Sequence, residues 1–292
     1  MNTAPLPSFI IAGASYSGAE TLHKLLQANP ALYFPPGPPS AFFYRSDLYA
    51  QGAEPYRKLF QPCTAHRIPG DMGVQYFEQG IVLNAEKKYL WQPHEDCAMR
   101  IKKHCPEAKI IICLRDPLTR AHLQFRQAKG AKIEKTESLS AALEEELNGT
   151  RKPESHPLCY LYRNLYAPHV AHWRRLFGQQ NILIIAYENL MADTTQTLAK
   201  TESFIGVRPH TPDVLALAAI KQDVPPAIAK LADILDVFPF LKPAREALLK
   251  KTLSGKAKTE PPPPPLTEAV AARILPLLAE DKTKLEALGG TL

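Results

Sequence analysis

The chain has 292 residues, 45% hydrophobic and 22% charged, with a formal charge of +6. Those figures exclude a disordered or collagen-like chain and leave enough length to bury a large core. The mild positive excess suits an anionic ligand. No basic run is long enough to act as a nucleic-acid arm, and no run of ~20 apolar residues has the length of a membrane span.

The first element in chain order is a short buried strand at Phe9–Ala12. It passes through Gly13-Ala14-Ser15-Tyr16-Ser17-Gly18 into a helix that runs through Leu22-His23-Lys24-Leu25-Leu26. A strand that turns through glycines into a helix aims backbone N–H groups and the positive helix end at one spot, which suits a phosphate. Gly13 and Gly18 have the spacing of the Walker loop G-x-x-x-x-G-K-[ST], but Ala19 and Glu20 stand where the lysine and hydroxyl belong. The sequence therefore predicts the architecture of an anion site without its charge. Ser17-x-x-Glu20 also matches a capping box, in which Glu20 competes with an anion for the helix N–H groups.

Prolines gather at 35–39 and punctuate a loop. Lys109-Ile110-Ile111-Ile112-Cys113-Leu114 and Ile182-Leu183-Ile184-Ile185-Ala186 are apolar on both faces, as strands inside a parallel sheet are. Helical periodicity covers about 119–129, 137–147, 162–176, 194–204 and 267–288. Strands alternating with helices predict an α/β fold with a mainly parallel central sheet flanked by helices. We expect one domain over 1–292, with 208–265 as a lid or substrate-facing segment and 266–292 as a C-terminal helix.

Arg115 follows a buried strand, where ligands of α/β sheets collect; the alternative is a salt bridge to Asp116 or Glu188. Arg120 is expected to be structural, bonding loop carbonyls. His23, His122, His169 and His172 fall on predicted helices, and no metal-ligand set is visible. His66 and His94 fall in loops, where a histidine can serve as a base. Glu144-Glu145-Glu146 is expected on a solvated helix face. Pro261–Pro265 predicts a stiff spacer, with an SH3-type ligand as the other reading. The five cysteines are scattered, odd in number and without a C-x-x-C pair, which argues for reduced thiols in a cytoplasmic protein and against zinc or a disulfide framework.

Lys109–Phe125, Lys-Ile-Ile-Ile-Cys-Leu-Arg-Asp-Pro-Leu-Thr-Arg-Ala-His-Leu-Gln-Phe, resembles the second cofactor motif of the sulfotransferase family, K-x-I-x-x-x-R-[DN]-P-x-x-R-A-x-S-x-[YF]. Phe9–Leu22 is similar to that family's 5′-phosphosulfate loop, G-x-x-K-x-G-T-T-x-L. Phe42-Phe43 resembles its K-E-x-x-F-F element. Tyr56–Phe60 and Gly70–Tyr76 resemble W-Y-x-x-x-F and G-E-K-S-P-x-Y. Trp173 through Tyr187-Glu188-Asn189-Leu190 to Phe204-Ile205-Gly206-Val207 resembles the W-x-x-x-F … Y-E-D-L … F-L-G-V core. Ser254–Lys258 and the final helix resemble the C-terminal portion. The flavour is that of the bacterial and heparan-sulfate type.

The resemblance implies a fold like that of P-loop kinases and sulfuryl transfer from 3′-phosphoadenosine 5′-phosphosulfate (PAPS), leaving PAP, to a hydroxyl or amine of a small-molecule acceptor. We expect no metal, no nucleic acid and no membrane span, and the oligomeric state stays open. The positions the resemblance carries over for the nucleotide are Gly13, Ser15, Ser17, Gly18, Arg115, Lys256 and Lys258, and for catalysis Tyr16 and Asp71. The departures are many. Tyr16 stands for the loop lysine, Ala19 and Glu20 for the paired threonines, and Pro38 and Pro39 for the lysine and glutamate of K-E-x-x-F-F. Met72 stands for the second lysine and Leu123 for the serine. One lost oxyanion donor is worth roughly 10²–10³ in rate and a lost base ~10²–10⁴. Two alternatives follow: a binding or scaffold protein that kept the fold without the activity, or a transferase that uses another anionic donor.

Overall fold

A computed structural model of the chain describes residues 4–78, 80–83, 89–91, 95–151, 158–211, 263–290 and 292. The β-branched runs form the sheet. β1 (Phe9–Ile11), β2 (Leu32–Tyr33), β3 (Ile68–Met72), β6 (Lys109–Leu114) and β7 (Ile182–Ala186) make five parallel strands in the order β2-β3-β1-β6-β7. Ile10 lies opposite Asp71 on one side and Ile110 on the other, and Ile111 lies opposite Leu183. The three strands expected from the sequence are thus neighbours and parallel. β4 (Ile81–Leu83) and β5 (Tyr89–Trp91) form a separate antiparallel pair.

Alternate strand residues feed two cores, as a period of two dictates. Phe9, Ile11, Ile111, Cys113, Leu183 and Ile185 pack with Leu22, Leu25 and Leu26 of α1 (Ala19–Gln27) and with Leu198 and Ile205 of α9 (Thr194–Ile205). Ile10, Ile110, Ile112 and Leu114 face the other way. They meet Ile101 of α4 (Cys97–His104) and Val170 and Trp173 of α7 (Tyr166–Phe177). The short helices α2 (Ser46–Tyr49) and α3 (Ala53–Lys58) flank this second layer, and α8 (Tyr187–Ala192) follows β7 directly. A third cluster joins α5 (Pro117–Gly130), α6 (Leu139–Leu147) and α10 (Glu268–Ala287) through Phe125, Leu143, Val270 and Ile274.

All five helices expected from periodicity are present, with shifted ends. The 162–176 helix is interrupted: Tyr162–Asn164 is a 3₁₀ turn and α7 starts at Tyr166. Its first N–H groups are satisfied from a distance, because the buried Asp281 carboxylate of α10 accepts from Tyr166 N at 2.7 Å and Ala167 N at 3.0 Å. One side-chain expectation fails here. Glu146 is not on a solvated face; it accepts from the backbone N–H groups of Tyr160, Leu161 and Tyr162 and so holds the loop before α7. Glu145 pairs with Arg151, and only Glu144 of the three is exposed. Most of the expected lid, 212–262, and the start of the proline block lie outside the described residues.

Candidate active site

After Ile11 the chain keeps pairing with β6: Ala12 N donates to Ile111 O at 2.9 Å and Ala14 N to Cys113 O at 2.8 Å. The turn that follows needs glycine at two places. Gly13 has φ +110°, and a Cβ there would come within 2.6 Å of the Val74 carbonyl oxygen. Gly18 has φ +84°, and its Cβ would lie 2.8 Å from the Tyr187 ring. Between them Tyr16 holds φ +63°, a left-handed backbone uncommon for a side chain of its size.

The capping-box expectation is corrected. Gly18, not Ser17, takes the cap position of α1, and no side chain caps that helix. The buried Ser17 hydroxyl donates instead to Ser15 O at 3.4 Å, and Glu20 is exposed at the second helical position. Elsewhere Asp96, Asp116, Ser138 and Asp193 cap α4, α5, α6 and α9 in the usual way. The N–H groups of Ala19, Glu20 and Thr21 therefore open toward the space in front of the loop with the positive end of the helix dipole.

Arg115 stands at the end of β6, 8% exposed. Its guanidinium lies 4.0 Å over the Tyr187 ring and Nη1 donates to Tyr16 O at 3.4 Å. The carboxylates weighed against it are engaged elsewhere: Asp116 caps α5, accepting from Thr119 N at 2.8 Å, and Glu188 accepts from Asp116 N at 3.1 Å. Arg120, fully buried, donates to Ser15 O at 2.7 Å and to the Arg163 carbonyl, and pairs with Glu78 Oε1 at 2.8 Å. Arg163 pairs with the same carboxylate oxygen at 2.9 Å and donates to the Ser15 hydroxyl at 3.3 Å. This buried Arg–Glu–Arg cluster grips the loop from behind. Its Arg120 was readable in the sequence, its Glu78 and Arg163 were not, because nothing in their spacing marks them.

The loop, Arg115 and Tyr187 enclose a cleft of about 510 Å³ at the C-terminal edge of the sheet. Ser15, Tyr16, Gly18, Glu20, Thr21, Arg115, Leu123 and Gln127 line it. Gly13 and Ser17 are buried within the loop and do not line the cleft. Among the described lining residues Arg115 is the cation and Glu20 the anion. Gln127, one helical turn beyond Leu123, had no motif to announce it.

Asp71 sits elsewhere. It lines a second cleft of about 350 Å³ with His23, Ser40, Met72 and the proline loop, including Pro38 and Pro39. Its Oδ2 accepts from Tyr56 OH at 2.8 Å and Tyr76 OH at 3.4 Å. Burial raises its pKa to about 6, against the pull of those hydrogen bonds, and burial with the Asp71 charge pushes both tyrosines well above their usual value. The two clefts draw on the same two segments. Glu20 lines the first and His23 the second, three residues apart on α1; Val74 lines the first and Met72 the second. His66 is exposed and precedes β3, at the opposite edge of the sheet from both clefts, so it cannot serve as a base there. His94, Lys256 and Lys258 lie outside the described residues. Among the described residues no group of three or more His, Cys, Asp or Glu side chains could hold a metal, and no helix is long and apolar enough to cross a membrane.

A family model described as the sulfotransferase family matches residues 7–212. The chain belongs to the sulfotransferase family. Over 205 residues it is 26% identical to human heparan sulfate glucosamine 3-O-sulfotransferase 3B1, a match covering 70% of this chain and 47% of that protein. It is 25% identical over 214 residues to human bifunctional heparan sulfate N-deacetylase/N-sulfotransferase 3, covering 70% of this chain and 23% of that one. The chain thus spans about half or less of the length of these curated relatives. The solved structure of a sulfotransferase from Alicyclobacillus acidocaldarius is similar with a TM-score of 0.64 at 20% identity, over 99% of this chain and 98% of that one, a likeness of fold. Of the positions read in the sequence as departures from the family motifs, Tyr16, Ala19, Glu20 and Leu123 line the first cleft and Pro38, Pro39 and Met72 the second.

Proposed function

We propose that this chain transfers a sulfuryl group from PAPS to a hydroxyl or amine of a small-molecule acceptor, by a rearranged site. The observation that carries the reading is that the Gly13–Glu20 loop, the uncapped start of α1 and Arg115 meet in one cleft. Its size is that of a small-molecule site. Arg115 is suited to the 3′-phosphate, since an Arg–phosphate pair is charge-assisted and can be bidentate. The N–H groups of Ala19, Glu20 and Thr21 are suited to the 5′-phosphosulfate, whose leaving oxygen gains charge as the sulfuryl group departs. Lys256 and Lys258 are assigned to the 3′-phosphate by resemblance alone.

The base proposed is Asp71. The acceptor oxygen or nitrogen forms a bond to sulfur as the bond from sulfur to the bridging phosphate oxygen breaks, and the acceptor's proton passes to the Asp71 carboxylate. A carboxyl with a pKa near 6 is matched to that task at neutral pH, deprotonated yet basic. Tyr16 is assigned a place beside the bridging oxygen, where its phenol donates a hydrogen bond in place of the family's ammonium. We take the chain as one domain, with 208–265 as a lid or substrate-facing segment. The five free cysteines, four of them buried, support a reducing, cytoplasmic setting.

Incubation with sulfur-labelled PAPS and a panel of phenols, alcohols and amines tests the reading. Labelled ester or sulfamate with matching PAP release is the expected result, lost in Asp71→Asn. Bound PAPS that is never turned over across the whole panel would contradict it.

A further inference from the structure

The second cleft differs from the first in chemistry. Its walls are Phe34, Leu59, Met72 and four prolines between residues 35 and 39. Proline keeps its carbonyl but has no N–H to offer, so this wall is poor in the donors that a sugar's hydroxyl and anionic groups need. Among the described lining residues, polar side chains reach the cleft at three places. Asp71, 4% exposed, lies on its floor. Ser40 is hydrogen-bonded to Tyr76, which in turn bonds Asp71. His23 packs edge-on against Phe34 with ring centroids 4.5 Å apart, and burial lowers its pKa to about 4, so it is neutral at pH 7. Among the described lining residues there is no lysine or arginine. A polyanion would set its charges against Asp71 and apolar carbon, with no cation among the described lining residues to balance them.

We infer that the cleft at Asp71 is the acceptor subsite and takes a compact apolar alcohol or phenol, not a sulfated or uronate-bearing glycan. The apolar body fills the space between Phe34, Leu59, Met72 and the prolines. Its hydroxyl donates to the Asp71 carboxylate. α1 and the 71–75 segment place that hydroxyl beside the first cleft, since each contributes to both walls. The substitution of Pro38 and Pro39 for the family's charged pair is then a change of acceptor class: the loop exchanges hydrogen-bonding capacity for apolar surface. For the identity of the reaction this inference rests on the sulfuryl-transfer reading; for the class of ligand it rests on the cleft alone.

The test is equilibrium binding to the full-length protein, with and without PAP. The probes are 2-naphthol and an N-sulfated heparan hexasaccharide. The variant is Leu59→Asp, which puts a charge on the apolar wall at a residue 38% exposed, where the fold tolerates it. Naphthol is expected to bind at one site, at least tenfold more weakly in the variant, with PAP affinity equal in the two proteins and no saturable hexasaccharide binding. Absent naphthol binding, equal binding by the variant, or tighter binding of the hexasaccharide would each overturn the inference. Naphthol binding that responds to Leu59→Asp in a protein that ignores PAP would leave the subsite standing and defeat the donor assignment instead.

Discussion

At the scale of single residues, Asp71 ties stability to chemistry. Its pKa rises from 3.8 to about 6 through burial, so between those values the folded protein holds a proton that the unfolded chain has released. Stability due to this group therefore falls as the pH rises from about 4 to about 6 and stays lost above that, by roughly 3 kcal/mol for a shift of that size. His169, lowered to about 4 by burial, acts in the opposite sense over the same window and cancels when two variants are compared. Asp71→Asn keeps an acceptor oxygen for the Tyr56 hydroxyl. It should be about 1–3 kcal/mol more stable than the parent at pH 7.5 and equal to it near pH 4, as urea titrations across that range would show. The same variant should remove the acid limb of kcat/KM near pH 6 along with ~10²–10⁴ of the rate. A parent protein no less stable at pH 7.5 than Asp71→Asn would argue that Asp71 stays charged at no cost. Glu20 is a second conflict between fold and ligand. A carboxylate in the first turn stabilises α1 by about 0.3–1 kcal/mol and repels an anion there by a similar amount. Glu20→Thr should raise PAPS affinity about two- to fivefold at low salt, a gain that shrinks in high salt; adding Tyr16→Lys should raise it further. If the double variant binds PAPS better yet transfers sulfate more slowly, Tyr16 belongs to the mechanism.

At the scale of elements, the strand-to-helix turn after β1 was readable and its neighbour β3 was not. Phe9–Ile11, Lys109–Leu114 and Ile182–Ala186 are β-branched and buried on both faces, a pattern with one reading. β3 is Ile-Pro-Gly-Asp-Met, the composition of a turn. It becomes a strand because the sheet requires it: Ser8 N donates to Pro69 O at 2.8 Å, and the bare Gly70 makes room for the Phe9 ring, 2.2 Å from where a Cβ would sit. Long-range packing of this kind leaves no periodicity. The capping box misled for a related reason: its residues match the pattern, but a left-handed Gly18 takes the cap. That glycine is testable. Gly18→Ala forces a side chain into a left-handed backbone, at about 1–2 kcal/mol, and against the Tyr187 ring that lies under Arg115. Thermal unfolding should show the loss of stability, and nucleotide binding should weaken with it. A variant with unchanged melting and binding would mean that the loop does not need this turn.

At the scale of the whole molecule, the sheet gathers residues far apart in sequence into two adjoining clefts, and their charges decide the reading. The fold class and the cleft at the Gly13–Gly18 turn were legible because a strand-to-helix turn fixes where N–H groups point. The pairing of Glu78 and Arg163 with Arg120, the separation of Asp71 from the loop, and the places of Gln127 and Tyr187 in the cleft wall were not, since each depends on which surfaces meet. In the proposed reaction Arg115 and the start of α1 hold a nucleotide bearing a 3′-phosphate. Calorimetric titration of the full-length protein and of Arg115→Ala with PAP tests it most directly. A charge-assisted hydrogen bond is worth about 1.5–3 kcal/mol, so the parent should bind at one site and the variant roughly 10- to 100-fold more weakly. A parent protein that binds no PAP at millimolar concentration, or a variant with the same affinity, would contradict the account.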